Sequence, residues 1–155
     1  MINGNSYISE IMKYLIWILL FVFMPYSAAL AQKTVQVNLA GYKNVPAVHS
    51  PGSGVVYVTL QSDTLFVEGK FEDLRTSYRS SSIHYGSERE TGNRLFGLKV
   101  HLNEDRRGGE FKKEENYFVL RPSLKEALNN GNLYISIATE RNQRGEIRGQ
   151  IPAMR

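Results

Sequence analysis

The most regular alternation of apolar and polar residues lies near the C-terminus, in residues 131–151. Leu133, Ile135 and Ile137 fall on one face of an extended chain, and the residues between them fall on the other. This period of two predicts a β-strand with one buried side. A polar turn over 140–144 separates it from a second short strand that ends the stretch.

Similar patterns predict strands over residues 35–71. Apolar residues alternate through 35–39, and a loop punctuated by proline and glycine follows over 42–53. Residues 55–60 are rich in β-branched side chains, and a second alternation runs through 65–71. We expect these last two segments to form a β-hairpin around a turn at 61–64.

The middle of the chain alternates between polar loops and strand patterns. A Ser-rich polar loop is predicted over 75–82, followed by a short strand over 83–86. Residues 95–102 have the clearest half-buried strand pattern, and 110–120 have a weaker one with a charged middle. Many short strands separated by turn signals predict an all-β protein, an antiparallel sandwich or barrel.

One helical pattern interrupts the strands, near residues 123–130. Pro122 suits a first helical turn, and Ser123 can act as the N-cap or lie in that turn. Two leucines share one face, and Gly131 follows as a C-terminal stop. The helix has about two turns, so we expect it to cap a sheet rather than form a layer.

An apolar run near the N-terminus predicts an export signal. Residues 14–24 are almost continuously apolar, and Ala29-Leu30-Ala31 has the small-x-small pattern that signal peptidase accepts. The run is about eleven residues long, about half of a bilayer span, so a cleaved signal over 1–31 is favoured over a retained membrane anchor. Lys13 gives the run a basic start, and Met12 is therefore a possible true start of translation.

Composition limits the chemistry that the chain can perform. It contains no cysteine, which excludes disulfides and thiol catalysis. The formal net charge is +4, but the basic residues are scattered or mixed with acidic ones, as in 112–115, whereas nucleic-acid binding needs a clustered basic surface. We found neither a Gly-x-Ser-x-Gly elbow nor a phosphate-binding glycine loop. We therefore expect no enzymatic activity, no cofactor and no nucleic-acid partner.

Six short segments together carry a resemblance to a known family. They contain Leu-Ala-Gly, Asn-Val-Pro-Ala-Val, Gly-Ser-Gly, Ile-His-Tyr-Gly, Gly-Asn-Leu-Tyr-Ile and Gly-Glu-Ile-Arg-Gly-Gln-Ile, in that order. Their order and separation resemble the CHRD domain, a module of chordin and of many exported bacterial proteins. The family positions matched in this chain are Gly41, Pro46, Gly54, His84, Gly86, Gly131, Tyr134, Gly145, Glu146, Arg148 and Gly149.

The resemblance covers about residues 35–151 and implies one CHRD domain over 32–155. It also implies a Greek-key sandwich of immunoglobulin-like or superoxide-dismutase-like form. Most of the matched glycines lie at strand edges or turns, where a positive φ or a close backbone contact requires glycine. We expect Arg148 to pair with Glu146 or with an acid on the neighbouring strand, and ligand binding is the alternative.

His84 is a weak candidate metal ligand. Members of the family commonly have His-x-His in the middle motif and a further histidine in the penultimate strand. In this chain the corresponding positions are Ser82, His84 and Ala138, and neither a serine hydroxyl nor alanine is a useful ligand for copper or zinc. No pattern places His49 or His101 beside them. We therefore expect no metal site and a structural or surface role for His84.

The candidate binding residues are tyrosines that border loops, because an amphipathic ring can stack on a ligand while its hydroxyl stays in water. They are Tyr42, Tyr78, Tyr85 and Tyr117. These observations predict an exported binding or structural module, periplasmic or extracellular, whose partner is an unidentified protein or an envelope polysaccharide. The alternative, a metal-binding or redox protein of dismutase-like fold, is supported by His84 alone.

Overall fold

A computed structural model describes residues 32–155, and the predicted signal peptide, residues 1–31, lies outside the described residues. The described chain forms one sheet of ten strands with one short α-helix. The strands are β1 (Gln32–Ala40), β2 (Ser53–Gln61), β3 (Thr64–Glu72), β4 (Tyr78–Tyr85), β5 (Arg94–Gly97), β6 (His101–Leu102), β7 (Gly109–Phe111), β8 (Tyr117–Val119), β9 (Leu133–Thr139) and β10 (Ile147–Ile151), and the helix is α1 (Pro122–Asn129).

The sheet is antiparallel and curls on itself. Its order is β5-β4-β9-β10-β1-β2-β3-β7-β6, and β8 also pairs with β3. The order β10-β1-β2-β3 is that of a Greek key, because the last strand returns beside the first. Phe96 of β5 stacks on Phe118 of β8 with ring centroids 4.6 Å apart, so strands distant in the order meet. The all-β, sandwich-like prediction is confirmed.

The hydrophobic core fills the inside of this curl. Alternate residues of six strands are buried in it, as the period of two predicted: Val37, Leu39, Val56, Val58, Leu65, Val67, Ile83, Leu133, Ile135, Ile137, Ile147 and Ile151. These side chains are almost fully removed from water. Burial of a side chain of this size contributes about 1.5–3 kcal/mol, so packing stabilises the fold without a disulfide.

Strands β2 and β3 form the predicted hairpin. Their pairing runs from Ser53 opposite Glu72 to Gln61 opposite Thr64, without a register shift. Ser62 and its neighbour therefore make a two-residue turn, and Ser62 has a positive φ of 55°. The predicted hairpin is confirmed. Sequence could predict it because alternation and turn length are local features.

Helix α1 begins at the predicted proline and ends at Asn129, two residues before the predicted glycine. Gly131 has a φ of +70°, its N–H donates to the carbonyl of Leu128 (3.0 Å), and the N–H of Asn132 donates to the carbonyl of Ala127 (2.9 Å). This pair of bonds is the Schellman arrangement. Ser123 lies in the first turn, but no side chain caps the helix. Within residues 32–155, no helix is both long enough and apolar enough to span a bilayer.

The single strand predicted over 95–102 is wrong, because the chain breaks it into β5 and β6. Asn116, which is fully buried, explains the break. Its Oδ1 accepts a hydrogen bond from the N–H of Lys99 (2.8 Å), and its Nδ2 donates to the carbonyls of Lys99 (2.9 Å) and Lys112 (3.0 Å). A side chain here takes the place of a neighbouring strand, which the alternation of residues 98–100 does not reveal.

Two other predicted boundaries are wrong. The strand expected over 110–120 is two strands, β7 and β8, separated by the segment that carries Asn116. The polar loop expected over 75–82 ends earlier, because β4 begins at Tyr78. Ser81 is buried there and its hydroxyl donates to a main-chain carbonyl at 3.2 Å. A serine whose hydroxyl is bonded in this way can lie in an interior strand, so polar composition alone misled the prediction.

Strand β9 is buried on both faces, although the sequence predicted one buried side. Leu133, Ile135 and Ile137 pack in the core, and the residues between them are also buried. A loop over 86–93 crosses this outer face, where the N–H of Gly92 donates to the hydroxyl of Tyr134 (3.2 Å). The second buried side is therefore formed partly by a loop that is distant in sequence.

The matched glycines have the two kinds of geometry that were expected. Gly86, Gly131 and Gly145 have positive φ angles. Gly41 and Gly54 have ordinary φ angles, but a Cβ atom at either position would overlap a main-chain oxygen. Backbone geometry therefore accounts for glycine at these five positions without a direct contact to any ligand.

Candidate functional site

Matched family positions of β4, β9 and β10 meet on the outer face of the sheet. His84 lies opposite Tyr134, and Arg148 lies opposite Ser136. The ring of Tyr134 is the centre of the arrangement. The His84 ring stacks on it with centroids 5.1 Å apart, and the guanidinium carbon of Arg148 lies 3.6 Å from its centroid. We refer to His84, Tyr134 and Arg148 as the outer-face cluster.

Arg148 is buried without a carboxylate partner. Only 2% of its surface is exposed, and neither ion pair found within residues 32–155 includes it. Its guanidinium donates to the carbonyls of Ser87 (2.6 Å) and Glu90 (2.9 Å) and to Oε1 of Gln150 (3.2 Å). Main-chain dipoles and the Tyr134 ring stabilise the cation. The predicted pair between Arg148 and Glu146 is therefore wrong.

Glu146 is bonded by donors from three segments of the chain. Its Oε1 accepts from the hydroxyl of Ser50 (2.6 Å) and the N–H of Arg75 (2.6 Å). Its Oε2 accepts from the hydroxyl of Thr139 (2.7 Å) and the amide of Asn142 (3.4 Å). Burial raises the pKa of this carboxyl, but the hydrogen bonds to its charged form outweigh that effect and hold the pKa below its usual value.

His84 has both ring nitrogens within hydrogen-bond distance of a partner. Nδ1 lies 3.1 Å from the carbonyl of Gly92 and must donate to it, so Nε2 accepts from the hydroxyl of Ser82 at 2.9 Å. Ser82, His84 and Ala138 share the outer face, as the pairing of β4 with β9 requires. Ala138 lies opposite Ser80, four residues along β4 from His84, so the three family positions share a face without meeting at one point, and two of them lack a metal-binding side chain.

The remaining histidines lie apart from this cluster. His101 is exposed and its Nε2 lies 2.8 Å from a carboxylate oxygen of Glu115. His49 is exposed in the loop before β2. Across residues 32–155, no three His, Cys, Asp or Glu side chains are grouped so that they could hold a metal ion.

We expect no copper or zinc to bind more tightly than about micromolar, about −8 kcal/mol. The reason is that a single imidazole, already bonded through both nitrogens, would be the principal ligand. Calorimetric titration of the purified protein with each metal would test this. One equivalent bound at higher affinity in wild type, and lost in His84→Ala, would overturn the prediction and revive the dismutase-like alternative.

We expect acidification to destabilise the fold partly through His84. Burial lowers the pKa of the imidazole, the bond to Gly92 raises it, and the positive charges of Arg94 and Arg148 lower it further, with a net lowering. The unfolded chain therefore takes up the proton first. The stability that neutral His84 contributes is complete above about pH 6.5 and is lost as pH falls toward the folded-state pKa.

Urea unfolding at several pH values between about 8 and 5 would measure this loss. His84→Gln should have a shallower slope of unfolding free energy against pH than wild type. His49→Gln is the matched control, because His49 is exposed, and it should reproduce the wild-type slope. An unchanged slope in His84→Gln would assign the pH dependence to other groups.

A groove of about 440 Å³ lies beside the outer-face cluster. One wall is the loop over 42–47, and the other is formed by Glu88 and Arg89. Arg148 is the most buried of the lining residues, and Tyr42 is 74% exposed. We call this feature the Arg148 groove. Its charged lining residues are three cations and one anion: Lys43, Arg89, Arg148 and Glu88.

The last strand motif holds both walls of the Arg148 groove, one through the main-chain carbonyl of Glu146 and the other through the guanidinium of Arg148. The amide of Asn44 donates to the carbonyl of Glu146 (2.8 Å), which ties down the first wall. The guanidinium of Arg148 bonds the carbonyls of Ser87 and Glu90 on the second wall. The sequence analysis named Glu146 and Arg148 but missed these contacts, since no local signal connects them to either loop.

The structure separates the four tyrosines that were predicted as binding residues. Tyr42, Tyr85 and Tyr117 are exposed. Tyr78 is half-buried and stacks on Phe71 with ring centroids 5.8 Å apart. Tyr42 is the member of this set that lines the Arg148 groove. The prediction therefore identified one groove residue among four candidates.

Fold and site together define a Greek-key sandwich that carries a loop-lined, cationic groove. The family model of the CHRD domain matches residues 35–151, from β1 to the end of β10. The chain therefore belongs to the CHRD domain family, as its motifs predicted. No match to a curated protein or to a solved structure was found.

Proposed function

We propose that the protein is an exported, non-enzymatic binding module whose ligand-binding surface is the Arg148 groove. The observation that carries this proposal is Arg148 itself, a buried cation without a carboxylate partner that lines an open groove. Burying a charge costs several kcal/mol unless it is compensated. Main-chain carbonyls compensate part of this cost, and an incoming ligand of opposite charge would compensate more.

The construction of the two walls supports a binding role. Loops on a rigid sheet commonly carry binding residues. Here Asn44 and Arg148 hold the loops from beneath through hydrogen bonds to main-chain atoms. A groove with walls fixed in this way is formed before the ligand arrives, so little ordering entropy is lost on binding.

The state of the nearby ionisable groups supports binding rather than catalysis. A general acid or base must have hydrogen-bonding capacity free for the substrate. The carboxylate of Glu146 already accepts four hydrogen bonds, and both ring nitrogens of His84 are bonded. Neither group is therefore arranged as a base that a substrate could reach.

Capture of envelope material tests the Arg148 groove as the binding surface. Ala47→Trp would fill the groove, because Ala47 is exposed on its wall. Ala153→Trp is the matched control, since Ala153 is exposed and does not line the groove. We expect wild type and Ala153→Trp to retain the same envelope polysaccharide or protein, and Ala47→Trp to retain at least about tenfold less, about 1.4 kcal/mol. Equal retention by all three would contradict the proposal.

Export rests on the apolar run and on the small-x-small site before Gln32. The complete chain should be processed in a bacterial host, and the exported fraction should contain a protein that begins at Gln32. Intact mass and N-terminal sequencing would measure both. A protein that keeps residues 14–31 and stays inside the cell would contradict the proposed export.

A further inference from the structure

We propose that the Arg148 groove binds an acidic saccharide, whose carboxylate is received by the exposed guanidinium of Arg89 beside the buried charge of Arg148. The inference rests on the proposed function, because it names the ligand class of the same groove. Three properties of the groove lead to it: its charge, the exposed aromatic ring at its edge, and the interior position of the strands beneath it.

The charge of the groove favours an anionic ligand. Lys43, Arg89 and Arg148 line it against the single carboxylate of Glu88. Arg89 is exposed on one wall, and arginine presents a planar fork of N–H donors that matches a carboxylate through two parallel hydrogen bonds. Arg148 adds a buried positive charge to the lining, although its own N–H groups already donate to Ser87, Glu90 and Gln150.

The aromatic ring favours a sugar as the carrier of that carboxylate. Tyr42 lines the groove with 74% of its surface exposed, although an aromatic side chain usually gains by burial. The apolar face of a pyranose ring can cover such a ring while the phenol hydroxyl stays in water. The volume of about 440 Å³ lies within the range that small ligands occupy.

The position of the strands disfavours a peptide. Extended peptides commonly bind by adding a strand to a free sheet edge. Arg148 lies on β10, which is paired on one side with β9 and on the other with β1. Strand β10 is therefore not a free sheet edge, and the addition of a peptide strand beneath the groove is disfavoured.

Calorimetric titration with trigalacturonic acid would test the inference at low salt, where charge recognition is strongest. The comparison ligands are cellotriose, which is neutral, and triglutamate, an acidic peptide. We expect trigalacturonic acid to bind at least about tenfold more tightly than either. Tyr42→Ala should weaken its binding about fivefold, and Arg89→Lys about tenfold, because lysine keeps the charge but loses the planar fork.

Each other outcome contradicts a stated part of the inference. If cellotriose bound equally well, the ligand carboxylate would not be needed for recognition. If triglutamate bound more tightly, the ligand would be an acidic peptide rather than a saccharide. Binding that Tyr42→Ala, Arg89→Lys and Ala47→Trp all leave unchanged would place the saccharide outside the groove. If no probe binds but Ala47→Trp still abolishes envelope capture, this inference fails and the proposed function stands. If Ala47→Trp leaves capture unchanged, both fail.

Discussion

Replacing Glu146 with alanine should lower the free energy of unfolding by about 3–4 kcal/mol. The carboxylate is fully buried and accepts hydrogen bonds from Ser50, Arg75, Thr139 and Asn142. Alanine would leave these donors without their acceptor in a space that the carboxylate filled. Hydrogen bonds to a charged group contribute about 1.5–3 kcal/mol each but are not additive, which sets the upper end of the estimate.

Urea unfolding at neutral pH would measure the loss. Glu140→Ala is the matched control, because Glu140 is an exposed glutamate a few residues earlier, and it should change stability by less than about 0.5 kcal/mol. Glu146→Gln keeps the size of the side chain and one oxygen acceptor, so its loss of stability should fall between those of Glu146→Ala and Glu140→Ala. A loss below about 1 kcal/mol in Glu146→Ala would show that the carboxylate does not hold the three segments together.

The same carboxylate should contribute to acid denaturation. Its folded-state pKa lies below its unfolded value, so its stabilisation is complete above about pH 4.3 and is lost as pH falls through the folded-state pKa. The difference in stability between wild type and Glu146→Gln should therefore shrink at acid pH. This window lies below the one assigned to His84, which allows the two contributions to be separated.

Replacing Asn116 with alanine should lower the free energy of unfolding by about 2–3 kcal/mol. Its amide satisfies the N–H and carbonyl of Lys99 and the carbonyl of Lys112 at the break between β5 and β6. The break lies where strands distant in the order of the sheet meet, so water would have to enter beside the core to satisfy these groups. The lower free energy of unfolding would come from backbone groups left without a hydrogen-bond partner, not from a smaller buried apolar area.

Two further variants separate the roles of the Asn116 amide. Asn116→Asp keeps the acceptor for Lys99 but loses the donor to two carbonyls, so it should also destabilise the fold. Asn93→Ala is the matched control, because Asn93 is an exposed asparagine, and it should be nearly neutral. Urea unfolding would measure all three. A neutral Asn116→Ala would mean that the sheet closes without this side chain.

Glu146 and Arg148 illustrate why motif spacing alone misassigned a pair. They carry opposite charges two residues apart in one motif, which favours an ion pair in an isolated strand. In the folded protein, Glu146 lies among side-chain and main-chain donors, and Arg148 lies among carbonyls and on the Tyr134 ring. The carboxylate of Glu146 joins segments that lie outside the groove, whereas the guanidinium of Arg148 holds the loop that forms one wall of the Arg148 groove.

The sequence by itself determined the features that depend on neighbouring residues. Alternation predicted β1, the β2–β3 hairpin and the strand pair at the C-terminus, and the helix before Gly131 stops where predicted. The ordered motifs also identified the CHRD domain family. These features survive folding because alternation, turn length and positive φ angles are set within a few residues.

Only the tertiary structure decided how the site is built. Arg148 bonds the carbonyl of Glu90, 58 residues away in sequence, and Glu146 bonds the hydroxyl of Ser50, 96 residues away. Asn116 interrupts a strand from 17 residues away. Such contacts depend on which strands become neighbours in the sheet, and that order is a property of the whole chain. Sequence patterns therefore identified the residues of the outer-face cluster, and the curl of the sheet placed them beside a groove.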